Sequence, residues 1–202
     1  MNENKKAKKV VALLLCAVLL VVGSVSATLA YLTSTATVTN TFTVGKVAIT
    51  LDEAVVDEYG VGQGGRSETG FTYKLIPGHE YVKDPIVHVD ADSESCFVFV
   101  QIDNEISAYE DSSATIHEQI IANLWTQGDG SSIPTDVYYK EYIKDHTDKD
   151  LKVFEKFTID KNANKVSGWD TINSSTVITI KAYAIQKDGL DVNTAWGALN
   201  TP

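Results

Sequence analysis

Cys96–Ile102 reads CFVFVQI and Thr176–Gln186 reads TVITIKAYAIQ, and these two stretches decide the fold class. In the second, Val177, Thr179, Lys181, Tyr183 and Ile185 alternate against Ile178, Ile180, Ala182 and Ala184. Successive side chains of a strand point to opposite faces, so this period of two predicts a strand. CFVFVQI is apolar on both faces for most of its length, as expected of a central strand covered on both sides.

Working outward, Val137–Ile143, Lys152–Ile159, Phe71–Leu75 and Tyr81–Val89 also read as strands, with Pro85 implying an edge or a bulge in the last. Ile76-Pro77-Gly78 has the Pro-then-Gly order of a tight turn, and Asp90–Ser95 is a polar turn. Tyr59–Gly70 (YGVGQGGRSETG) reads as a glycine-rich loop. The period changes over residues 115–125, where Ile116, Ile120, Ile121 and Leu124 recur at helical spacing and Thr115 with Glu118 makes a capping box. A short helix over Asn193–Leu199 closes the pattern. About eight or nine strands with one inserted helix and a short C-terminal helix predict an all-β protein, a β-sandwich.

The N-terminal part is different. Lys5, Lys6, Lys8 and Lys9 precede the 13-residue apolar run Val10–Val22, and small residues follow over Ser24–Ala30. That is the three-part pattern of a secretory signal peptide, and the run is shorter than the ~20 residues a membrane span needs. Cleavage is expected after Ala27 or Ala30, with an uncleaved anchor as the alternative. Leu15 before Cys16 argues against lipidation. The expected organisation is a signal peptide at 1–30, an N-terminal strand at 31–45 and a sandwich domain at 46–202. Within Thr33–Val44 (TSTATVTNTFTV), Thr37, Thr39, Thr41 and Thr43 share one face and Val38, Asn40, Phe42 and Val44 the other. After Gly45 the apolar phase flips to Val47, Ile49 and Leu51, which marks either a bulge or the boundary between two separately placed strands.

The 202-residue chain carries a net charge of −10, but residues 1–30 hold four lysines against one acid. The remainder therefore has 13 basic and 26 acidic residues. Such a surface disfavours nucleic acid, whose phosphates need clustered Lys or Arg. Enzyme patterns break down one after another. His117-Glu118 lacks a histidine at position 121, which is Ile, and His79-Glu80 has no second histidine in register. The GxGG spacing of the glycine-rich loop is not followed by GK[ST]. No GxSxG occurs, and Cys96 sits inside an apolar strand, where a core role is expected. Asp57/Glu58 and Glu110/Asp111 read as surface acids. His88, Asp90 and Asp92 alternate and are the weak metal candidates, set against a solvated strand edge and turn. Trp125, Trp169 and Trp196 with Tyr138, Tyr139 and Tyr142 are either a binding platform or plugs of the sandwich. No catalytic residue and no cofactor are expected.

ATLAYLT (Ala27–Thr33), VTNTFTVGKVAITL (Val38–Leu51), LIPGHEYVKDPIVHV (Leu75–Val89), SESCFVFV (Ser93–Val100) and AYAIQKDGLDVNTAWGAL (Ala182–Leu199) together resemble the TasA/camelysin family of Gram-positive secreted proteins. The resemblance implies export through a SipW-type signal peptidase with cleavage between Ala30 and Tyr31. It implies a jelly-roll sandwich that self-associates into extracellular biofilm-matrix fibres. In such proteins the N-terminal strand of one subunit completes the sheet of the next, which here makes Val38, Asn40, Phe42 and Val44 the assembly face. Accessory matrix proteins are further expected partners. A surface adhesin or fibre-anchoring subunit of the same fold is the alternative. A camelysin-like metalloprotease is the least favoured, because no HExxH is present.

Overall fold

In the computed structural model the described residues are 8, 9, 11, 13–19, 46–145, 148–173 and 176–199. Those between Lys8 and Leu19 are helical and exposed, and no helix among the described residues is long and apolar enough to cross a membrane. Ala30 and Tyr31 lie outside the described residues, as do Val38, Asn40, Phe42 and Val44. The chain divides between Thr43 and Val44.

The second unit is an antiparallel β-sandwich. One four-stranded sheet runs in the order β2 (Gly62–Ser67), β1 (Ile49–Val56), β4 (Ile86–Val89), β8 (Asp150–Lys152). The other runs β10 (Ile178–Gln186), β5 (Cys96–Asn104), β7 (Val137–Tyr142), β6 (Thr126–Gln127). A two-stranded ribbon pairs β3 (Glu80–Val82) with β9 (Lys156–Thr158). The two helices are α1 (Ile116–Ala122) and α2 (Val192–Leu199).

The main core lies between the four-stranded sheets. Val87, Val89 and Leu151 from one face Cys96, Val98, Val100 and Ile102 of β5, with Tyr138 and Tyr142 from β7. The opposite face of β5 is also covered, because Phe97 and Phe99 pack with Val137, Ala195 and Trp196 in a second cluster under α2. The Phe99 and Trp196 ring centroids are 5.2 Å apart. The doubly apolar reading of CFVFVQI thus has its cause in two separate coverings of one strand.

Several local expectations map onto particular bonds. Thr115 Oγ1 accepts from the Glu118 N–H (3.2 Å) while Glu118 Oε2 accepts from the Thr115 N–H (3.1 Å), so α1 begins at the capping box. His79 N donates to Ile76 O (3.1 Å) across Pro77-Gly78, with Gly78 at φ +80° as the third turn position requires.

Four expectations are corrected. The glycine-rich stretch is not all loop: β2 forms within it, paired with β1 through a bulge between Ala54 and Val56. Its strand state comes from that pairing rather than from β propensity, which Gly lacks. Phe71–Leu75 is not a strand. The Tyr81 hydroxyl anchors that segment instead, accepting from Ile76 N (2.7 Å) and donating to Lys74 O (2.7 Å), so no ladder partner is needed. Tyr81–Val89 is two strands, because Pro85 lacks a ladder donor and the chain passes there from β3 in the ribbon to β4 in the sandwich. Lys152–Ile159 divides in the same way into β8 and β9. With β2 and the unexpected two-residue β6, these divisions bring the strands among the described residues to ten.

Candidate functional site

A sheet edge is a row of backbone groups in search of partners. Among the described residues the sandwich has four edges, and three of them are short or uncovered: β6 has two residues, β8 three, and β2 is glycine-rich and mostly exposed. β10 is different. It pairs with β5 over nine consecutive positions, from Ile178 with Asn104 to Gln186 with Cys96, and with no other strand among the described residues. Lys187 N donates to Ser95 O (2.9 Å), on the β5 side. Strand N–H groups alternate in direction, so those of Thr179, Lys181, Tyr183 and Ile185 point to β5 while those of Ile178, Ile180, Ala182, Ala184 and Gln186 point to the open side.

Beside the first half of β10 the two sheets part into a cleft of about 680 Å³. Its apolar lining includes Leu51, Ile106, Trp169, Ile172, Ile178 and Ile180. Tyr73, Leu75 and Phe157 form a further aromatic and aliphatic wall. Tyr73 sets its ring edge-on to Tyr81 and Phe157, and its hydroxyl donates to Val82 O (3.1 Å). Burial pushes the Tyr73 phenol well above its ordinary pKa, reinforced by the charges of Glu53 and Asp84.

One ion pair also lines this cleft. Glu53 follows Ile49 and Leu51 in the inward phase of β1, and its Oε2 lies 2.5 Å from Lys83 Nζ. Glu53 is 7% exposed and Lys83 6%, and both line the cleft. A buried pair of this kind is costly to break on one side, since the remaining charge is left without compensation.

On the same β2–β1–β4–β8 sheet a second polar set crosses all four strands. Arg66 of β2 donates from Nε to Asp52 Oδ1 (2.6 Å) and from Nη1 to Asp84 Oδ2 (2.9 Å). His88 of β4 places Nε2 2.9 Å from Asp52 Oδ1 on β1 and Nδ1 2.7 Å from Asp150 Oδ1 on β8. Ionised carboxylates only accept, so a histidine bonded to one at each nitrogen is the imidazolium. Burial opposes that charge, but the hydrogen bonds that His88 donates to Asp150 and Asp52 outweigh it and hold the His88 pKa above its ordinary value. Asp52 is lowered in turn: burial acts upward, and Arg66 and His88 overcome it.

The weak metal candidates are not brought together. His88 is engaged with Asp52 and Asp150, whereas Asp90 Oδ1 accepts from Asp92 N (2.9 Å) and Oδ2 lies 3.5 Å from Lys46 Nζ. Among the described residues no group of three or more His, Cys, Asp or Glu is arranged to hold a metal ion. No family model, curated protein or solved structure matches this chain.

Of the remaining candidates, His117 bonds the Tyr138 hydroxyl (2.8 Å) and His79 the Tyr59 carbonyl (2.9 Å), each at one ring nitrogen. Cys96 is buried, and burial raises its thiol pKa to about 11. Trp125 and Trp196 are buried, as are Tyr138 and Tyr142, whereas Trp169 is half-buried, stacks edge-on to Tyr109 and lines the cleft. The sequence reading missed the cleft, the Glu53–Lys83 pair and the Arg66–His88 set. Its one usable signal was a carboxylate at Glu53 in phase with Ile49 and Leu51.

Proposed function

We propose that this chain is a secreted structural protein that assembles into extracellular biofilm-matrix fibres by donor-strand exchange, and that it acts without catalysis or cofactor. A SipW-type signal peptidase would release Tyr31 as the new N-terminus, in keeping with the resemblance to the TasA/camelysin family. The observation that best supports the reading is the nine-residue edge of β10, unpaired on one side among the described residues, beside a cleft with an apolar wall. An added strand satisfies the outward N–H groups of β10 and fills the cleft with its inward side chains. Tyr31–Val44 supplies such a strand, with Val38, Phe42 and Val44 on one face. Contact between an edge on one copy and a strand of the next does not close on itself, so it propagates as a filament.

Negative-stain microscopy of the purified secreted protein tests this. Filaments are expected from the whole secreted chain, and folded monomers from the chain lacking residues 31–44. Filaments from the deletion would refute the strand assignment, and their absence from the whole chain would favour an accessory subunit.

A further inference from the structure

We infer that the Glu53–Lys83 pair sets the register of the incoming strand by hydrogen-bonding Asn40 of a second copy of this chain. The inference rests on the donor-strand reading above and adds to it a residue-level contact. The cleft is lined by apolar residues and by polar ones, Ser67, Glu68, Thr69, Thr72, Asn173 and Thr176 among them, but of its polar residues only Glu53 and Lys83 are buried. In that pair Glu53 Oε2 accepts from Lys83 Nζ, while among the described residues Oε1 accepts no hydrogen bond. Gly70 lies alongside, where a Cβ would stand 3.9 Å from Oε1. A buried carboxylate with an unused oxygen, next to an ammonium with donors to spare, is a polar site in apolar surroundings.

The proposed occupant has the matching pattern. Over Val38, Asn40, Phe42 and Val44 of its apolar face the single polar side chain is Asn40, and Ser34, the other polar residue in that phase, stands six positions earlier. A carboxamide both donates and accepts, so it can bond Glu53 Oε1 through its N–H and Lys83 Nζ through its oxygen. Sliding the strand by two residues puts Val38 or Phe42 against the ion pair and leaves those polar groups unsatisfied. Sliding it by one turns the threonine face into the apolar cleft. Asn40 against Glu53–Lys83 is therefore the register in which both patterns are satisfied together.

The test compares seeded filament elongation, followed by light scattering, for secreted wild type, Asn40→Leu, Asn40→Asp, and Asn40→Asp with Glu53→Gln. Asn40→Leu is expected to slow elongation about tenfold or more, since it leaves the buried pair unsatisfied. Asn40→Asp is expected to slow it further, by placing a second carboxylate against Glu53. Adding Glu53→Gln should restore most of the rate, because the exchange returns one carboxylate and one carboxamide beside Lys83. The Asn40 variants leave the sandwich domain unaltered, so they test the contact even where Glu53→Gln unfolds. Wild-type elongation by both Asn40 variants, with assembly still lost on deleting residues 31–44, would overturn the register contact and leave the donor strand standing. Elongation by the deletion itself would overturn both.

Discussion

β5 and β10 are the same length and pair residue for residue, yet they occupy opposite situations. β5 has a hydrogen-bonded strand on each side and a packed cluster on each face, and Cys96–Val100 are all buried. β10 has one hydrogen-bonded neighbour among the described residues, and its residues are half-buried, with Lys181 exposed. Regular strand sequence thus says that a segment will be in a sheet; it does not say how many of its sides the fold will use. Stability resides in the strand whose sides are all used. The capacity to bind resides in the one with a side left over.

The comparison is broken most directly at Phe99 and Tyr183, which are paired in register. Phe99 is fully buried against Trp196, so Phe99→Ala should cost about 3–5 kcal/mol in chemical denaturation. Tyr183→Ala, on the half-buried strand, should cost less than half as much. Equal losses would mean that β10 is as much a part of the core as β5.

A sharper cut uses the direction of single N–H groups. Ala182 directs its N–H to the open side and Tyr183 to β5, so proline at the two positions removes different bonds. Ala182→Pro should leave a cooperatively unfolding domain, measured by circular dichroism, while reducing filament yield. Tyr183→Pro should disrupt the β5–β10 ladder and the fold with it. If Ala182→Pro assembles as wild type, the open edge of β10 is not where strands are received.

The smallest effect lies in the sheet that contains neither strand. The folded His88 pKa is raised, so its contribution is fully present below the ordinary value near 6.5 and is lost as pH rises through the folded pKa. Stability should therefore fall by no more than about 1 kcal/mol across that window, which lies above pH 6.5. His88→Gln should flatten the change. A pH dependence that persists in His88→Gln would place its source elsewhere.

Much of the sandwich was legible because its cues are local. The period of two in Ile178–Gln186, the Thr115–Glu118 box and the Pro77-Gly78 turn each act within a few residues, and each appears where the pattern put it. The misread parts depend on distant partners. β2 is a strand because β1 and Arg66's carboxylates hold it, and Phe71–Leu75 avoids being one because Tyr81 satisfies its backbone. The cleft was illegible for the same reason. Leu51, Trp169 and Ile180 come from three separate stretches of sequence, and no local pattern joins them. Gly60 is an intermediate case: its φ of +73° suits glycine, but a Cβ there would stand 2.7 Å from Tyr81 Cα, a closeness visible only in three dimensions.

The β5–β10 ladder also has a consequence for the order in which the chain folds. Its partners lie 74 residues apart where Ile178 meets Asn104, and 90 apart where Gln186 meets Cys96. Closing so long a loop costs entropy before any contact repays it, and topologies dominated by such pairings fold slowly. β5 can gather β7, only some forty residues on, well before β10 arrives. During that interval the hydrophobic flank of β5 is itself an open edge. On loop closure alone, the docking of β10 is expected to be the slowest step in making this domain, and a refolding phase that is slowed by Ala insertions between β7 and β10 would show it.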